Sequence, residues 1–128
     1  MSRTMFILAY ENGEPKPLDM DLLKEVLKPY VVKADENFQD ALIQLADGYQ
    51  AELDINEVCI GISRFPPGQF FDVLAELVDR LGATVIPMDR PTILRREGDR
   101  SSLPPEGREN AVVVRMTGQA LETFISGG

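Results

Sequence analysis

Residues 4–10, Thr-Met-Phe-Ile-Leu-Ala-Tyr, are apolar at nearly every position and are soon followed by Asn12-Gly13. That pattern predicts a buried strand ended by a turn. Pro15 and Pro17 keep the chain out of helix until Asp19, after which Met20, Leu22, Leu23, Val26 and Leu27 recur at helical spacing. Asp19 suits the N-cap, Asp21 the positive end of the helix dipole and Lys28 the negative end, and Pro29 stops the helix.

Beyond a polar stretch, residues 33–40, the period changes. Ala41 to Ala46 is followed by Asp47-Gly48 and then by Tyr49, Ala51, Leu53 and Ile55, which alternate with polar partners. Asp-Gly between two such runs is a strong hairpin signal, although residues 38–46 taken alone also fit a helix. Asn56-Glu57 reads as the next turn. Val58, Ile60 and Ile62 then continue the alternation in a third antiparallel strand ending near Arg64-Phe65.

Pro66-Pro67-Gly68 opens the clearest helix, with a broad apolar stripe of Phe70, Phe71, Val73, Leu74, Leu77, Val78 and Leu81, closed by Gly82. Residues 83–86 read as a strand ended by Pro87. Residues 89–109 hold five arginines, five acids, three prolines and two glycines, and predict a long mobile or functional loop. A last strand over residues 111–116 and a short terminal helical turn over residues 119–125 complete the chain. The expected fold is a single α+β domain over residues 1–128. It has a mostly antiparallel sheet of five to six strands, two main helices on one face, and the ferredoxin-like order β-α-β-β-β-α-β-β.

Composition narrows the chemistry. The chain has 128 residues, 44% hydrophobic and 27% charged, with a formal charge of −8, no histidine, no tryptophan and one cysteine. Such acidity argues against a nucleic-acid binder. Without histidine, Ser-His-Asp and Cys-His catalysis and histidine-based metal sites are excluded. The lone Cys59 permits no internal disulfide, the N-terminal stretch lacks the pattern of a secretory signal, and no window approaches 18 apolar residues. A cytoplasmic protein without a membrane segment is expected.

Candidate nucleophiles lack activation. Cys59, Ser63 and the Ser101-Ser102 pair have no histidine base, and Cys59 reads as an ordinary strand residue. Carboxylates at Asp35, Glu36 and Asp40, and at Glu52 and Asp54, could hold a hard cation; the last two project to one strand face about 6 to 7 Å apart. A solvated sheet face gives the same spacing, and no EF-hand or phosphate-loop signature accompanies them. The arginines at 90, 95, 96, 100 and 108 are offset by five neighbouring acids, which suits salt bridging. No catalytic, cofactor or metal residues are assigned, and no enzyme is expected.

The charge is unevenly placed. Between Ala34 and Ser63 lie seven acids, Asp35, Glu36, Asp40, Asp47, Glu52, Asp54 and Glu57, and no base. These are the candidate partner-binding residues, since a field of one sign speeds encounter with an oppositely charged protein. With Tyr49, Ala51, Leu53 and Ile55 facing the core, Gln50, Glu52 and Asp54 line the outer face.

The stretch from Glu57 to Asp89 combines a strand ending in Ser63-Arg64-Phe65-Pro66, an apolar helix ending in Leu81-Gly82, and a strand ending near Asp89. It resembles small bacterial immunity proteins encoded beside interbacterial toxins, including type VI secretion effectors. The resemblance covers about a quarter of the chain. It implies a cytosolic inhibitor that occludes the active site of one toxin bearing a basic surface or groove, and it assigns no individual contact residue. Two further readings stand beside it. One is a non-catalytic small-ligand or regulatory domain of ferredoxin-like type, monomeric or a homodimer through its sheet. The other is a metal-dependent enzyme built on the acidic cluster.

Overall fold

The computed structural model describes residues 4–127. The apolar run at the start of the chain forms β1 (Thr4–Glu11), which turns through Asn12 and Gly13 into β2 (Glu14–Lys16). Both turn residues have positive φ, 53° and 82°, the geometry of a two-residue hairpin turn that Asn-Gly tolerates best. Helix α1 (Met20–Leu27) follows, with the Asp19 side chain accepting from the amide of Leu22 at 3.1 Å. Then come β3 (Val31–Ala34), β4 (Asp40–Gln44), β5 (Gln50–Ile55) and β6 (Cys59–Ser63), α2 (Gln69–Leu81), and β7 (Thr84–Pro87). The rest comprises β8 (Ile93–Leu94), a 3-10 turn (Glu97–Ser102), α3 (Pro105–Arg108), β9 (Val112–Val113) and α4 (Gly118–Ser126).

The fold is α+β with a mostly antiparallel sheet, in the order β3-β4-β5-β6-β1-β7-β8-β9, with β2 paired to β1. Among the described residues the only parallel pairing is that of β8 with β9. β1 lies between β6 and β7 and is antiparallel to both, so β6 and β7 are parallel to each other and α2 connects them across β1. Among the described residues this nine-stranded arrangement replaces the expected five to six strands and ferredoxin-like order. α1 carries the chain to the far edge of the sheet, and β3 to β6 meander back to β1. The additional strands lack any apolar period: β2 is Glu-Pro-Lys, β3 is mostly exposed, and β8 is two residues long.

One face of the sheet carries the core. Met5, Ile7, Ala9, Ala41, Ile43, Ala51, Leu53, Ile55, Ile60, Ile62 and Val85 pack with the buried stripes of α1, α2 and α4. Phe65, Phe70 and Phe71 form an aromatic group at the start of α2, with ring centroids 5.3 to 6.0 Å apart. α4 is therefore a third core helix of nine residues and not a single terminal turn. Its first residue, Gly118, lies so close to Asp72 of α2 that an added Cβ would stand 2.8 Å from the Asp72 backbone nitrogen.

Within residues 38–46 the strand is Asp40–Gln44, not a helix, and the Asp47-Gly48 hairpin is present. Tyr49, expected in the core, is 50% exposed, because β5 starts one residue later and Tyr49 belongs to the turn. Residues 89–109, expected as an irregular loop, contain β8, the 3-10 turn and α3. Arg100 holds this segment together, donating to the carbonyls of Arg108 and of Ala111 (2.7 Å) and pairing with Glu97 through two hydrogen bonds. Arg95 and Arg96 both pair with Asp99. Leu94, Leu103 and Ala111 are buried here as a second small core against Tyr10. The last strand shortens from residues 111–116 to Val112–Val113.

Candidate functional site

The face of the sheet opposite the helices is built from the alternate residues of the same strands. Register places them in rows. Asp40 stands opposite Asp54, Asp54 opposite Gly61, Gly61 opposite Phe6 and Phe6 opposite Ile86. The next row runs Lys33, Leu42, Glu52, Ser63, Thr4. Two depressions mark this face. One of about 300 Å³ is lined by residues including Lys33, Asp35, Asp40 and Asp54, and one of about 600 Å³ by residues including Gln50, Glu52, Ser63 and Arg64. Leu42, Glu52 and Asp54 line both, so the two form one shallow trough across β3 to β6.

Like charges directly opposite across a strand pair repel. The Asp40 carboxyl is accordingly held above its ordinary range, first by the hydrogen bond its protonated form makes to Asp54, then by desolvation and by the charges of Asp54, Asp35 and Glu52. Asp35 shifts the other way. Its Oδ1 accepts from the amides of Gln39 (2.6 Å) and Asp40 (2.8 Å), and backbone donors lower the pKa of a carboxylate that they stabilise.

The seven candidate acids thus divide. Asp40, Glu52 and Asp54 share the open face. Asp35 borders it while tying together the β3–β4 turn, and Glu36 lies exposed in that turn. Glu57 sits in the β5–β6 turn, where its carbonyl accepts from Leu18. Asp47 points toward the helix layer: its Oδ2 accepts from the amide of Gln69 at 3.0 Å, at the start of α2. Among the described residues no group of three or more His, Cys, Asp or Glu side chains is arranged to hold a metal ion. Cys59 is half-buried on the open face opposite Leu8, and burial pushes its thiol pKa up, away from reactivity.

The apolar half of the face carries no charge and was absent from the candidate residues. Phe6, Leu8 and Ile86 are half-buried, alternate with core residues, and lie outside the core cluster formed with the helices. The signal was the β1 run itself. A strand apolar at every position calls for cover on both faces, whereas an open antiparallel sheet has a polar outer face. The small core around Leu103 covers Tyr10 at one end of β1 and does not include Phe6 or Leu8.

No family profile, curated protein or solved structure matches the chain. No helix among the described residues is long and apolar enough to cross a membrane.

Proposed function

We propose that this chain is a stoichiometric binding protein of the immunity type, which inhibits an antibacterial toxin in the cytoplasm by covering its active-site groove. The observation that carries the reading is the open sheet face, where Asp40, Glu52 and Asp54 stand together with no cationic side chain among the cross-strand partners of Asp40 and Asp54. Such a face complements a basic groove and accelerates encounter with it. Enzymes that process nucleotides or nucleic acids carry grooves of that kind. The absence of histidine from the sequence and the raised pKa of Cys59 support a binding role over a catalytic one. The pattern over residues 57–89 supports the immunity class.

Co-expression with the product of the adjacent gene tests the reading. The wild-type chain is expected to rescue growth and co-purify with the toxin at equal stoichiometry. The double variant Glu52→Lys, Asp54→Lys is expected to stay folded by circular dichroism and to lose both effects. If the wild-type chain neither binds nor rescues, the inhibitor reading is wrong.

A further inference from the structure

The central strand presents a contradiction that charge alone does not explain. β1 is apolar on both faces, yet helices cover only one. On the other, Phe6 pairs across strands with Ile86, and Leu8 lies one row away. These three side chains are half-buried, and an apolar strip that the core leaves partly open in the middle of a sheet, bordered by polar residues, offers an interaction surface. Gly61 joins this strip to the acidic half. It lies between Asp54 and Phe6 in register and leaves the floor low between them. A Cβ there would rest at 3.5 Å from Phe6 Cε1 and 3.8 Å from Asp54 Cβ, ordinary contact distances.

The edges of the sheet fit such docking poorly. β3 carries a register shift between Val31 and Lys33, and β9 is two residues long. Bulged, charged or very short edges resist strand addition, which leaves the face as the larger surface.

We propose that the open face is a two-part docking surface for one basic and apolar segment of a partner protein. Asp40, Glu52 and Asp54 receive its arginine or lysine side chains, and Phe6, Leu8 and Ile86 receive its apolar ones. This rests on the reading that the face binds a basic protein, and it adds which side chains make the contact and what the partner segment contains. β1 and β4, which carry Phe6 and Asp40, are three strand spacings apart, about 14 Å, a span that residues four apart on one side of an extended peptide bridge. Attraction between charges steers the approach. Burial of the apolar side chains then supplies most of the affinity.

Two synthetic peptides of equal charge separate the halves: acetyl-Arg-Ser-Arg-Ser-Leu-Ser-Leu-amide, which places its arginines and leucines on one side when extended, and acetyl-Arg-Ser-Arg-Ser-Ser-Ser-Ser-amide, titrated into the full chain labelled with 15N. The leucine peptide is expected to bind about tenfold more tightly. It is also expected to shift the amides of residues 6–8, 52–54, 61 and 86. Asp54→Lys is expected to abolish binding of both peptides. Gly61→Val fills the junction with a residue that favours strand; its melting temperature is expected to hold while affinity for the leucine peptide falls. Equal affinities of the two peptides overturn the proposal, as do shifts confined to the helix layer or to residues 95–111. If the peptides fail and the toxin is still neutralised, the two-part surface is wrong and the inhibitor reading stands. If the peptides bind as expected and no toxin is neutralised, the surface stands and the inhibitor reading falls.

Discussion

The side chains of Asp47 and Gln69 each accept a backbone amide hydrogen bond across the junction of sheet and helix. Asp47 Oδ2 accepts from the Gln69 amide at 3.0 Å, and Gln69 Oε1 accepts from the Ala46 amide at 2.6 Å. The pair reproduces, over 22 residues of separation, the reciprocal logic of a capping box. It satisfies an amide at the start of α2 that has no partner within the helix. It also explains Gly68, whose φ is +81° and where a Cβ would stand 2.6 Å from Asp47 Oδ2.

Asp47→Ala is therefore expected to destabilise the fold by about 1 kcal/mol, the usual cost of a lost N-cap. Its melting temperature would fall by about 4 °C. Partner binding at the open face would be unaffected once the variant is held below its melting point. A variant that melts like the wild type would exclude the capping role.

The cross-strand acids predict a pH signature. Asp40 keeps its proton more tightly in the folded chain than at the ordinary aspartate value of 3.8, first through Asp54 and then through desolvation. A raised acid pKa lowers stability as pH climbs from the unfolded value through the folded one, and the cost vanishes below both. Asp40→Asn should accordingly raise the melting temperature at pH 7, with the difference closing near pH 3. Asp35 has the opposite sign: its contribution is present above the ordinary value and is lost as pH falls through its lowered pKa. Thermal melts from pH 3 to pH 7 check both, and an Asp40→Asn variant no more stable than wild type at pH 7 would count against the cross-strand repulsion.

Arg100 gives a local prediction. In Arg100→Met the carbonyls of Arg108 and Ala111 lose their shared donor, and Glu97 loses its partner. Amide hydrogen exchange over residues 97–112 should quicken several-fold, while that of β1 and β6 stays slow. Uniform exchange across the chain would mean that Arg100 does not hold the segment.

Gly118 tests the approach of α4 to α2. Alanine is normally the better helix former, but here its Cβ would meet Asp72 Cγ and the Asp72 backbone nitrogen, each at 2.8 Å. Backbone cannot step aside as a side chain can. Gly118→Ala is expected to cost about 1 to 3 kcal/mol, read by urea denaturation with an unchanged m-value. A neutral or stabilising effect would show that the helices have room to part.

Periodicity was enough where packing is local. The helix over Phe70 to Leu81, the Asp-Gly hairpin and the alternation of Ala51, Leu53 and Ile55 all carry their environment in their spacing. It failed where partners are distant. β8 is buried although it has only two residues, because Ile93 pairs with Val85 and Leu94 joins Leu103 and Tyr10. The acids show the same limit. Seven carboxylates in a base-free stretch look equivalent in sequence, yet Asp47 serves α2 and Asp35 serves its own turn. What distinguishes Asp40, Glu52 and Asp54 is register, which no local pattern specifies across three strands. The apolar strip of Phe6 and Leu8 was visible as a run, but only the placement of the helices shows which half of it is uncovered.

The central position of β1 also governs how the chain is born. Met5 pairs with Ile62 on one side and with Pro87 on the other, so this part of β1 leaves the ribosome 57 and 82 residues ahead of the partners that flank it. Until then its two apolar faces are bare. Sheets closed by such distant pairings fold slowly and expose sticky intermediates on the way. Shielding of β1 while those partners are being made therefore bears on how much of the chain folds.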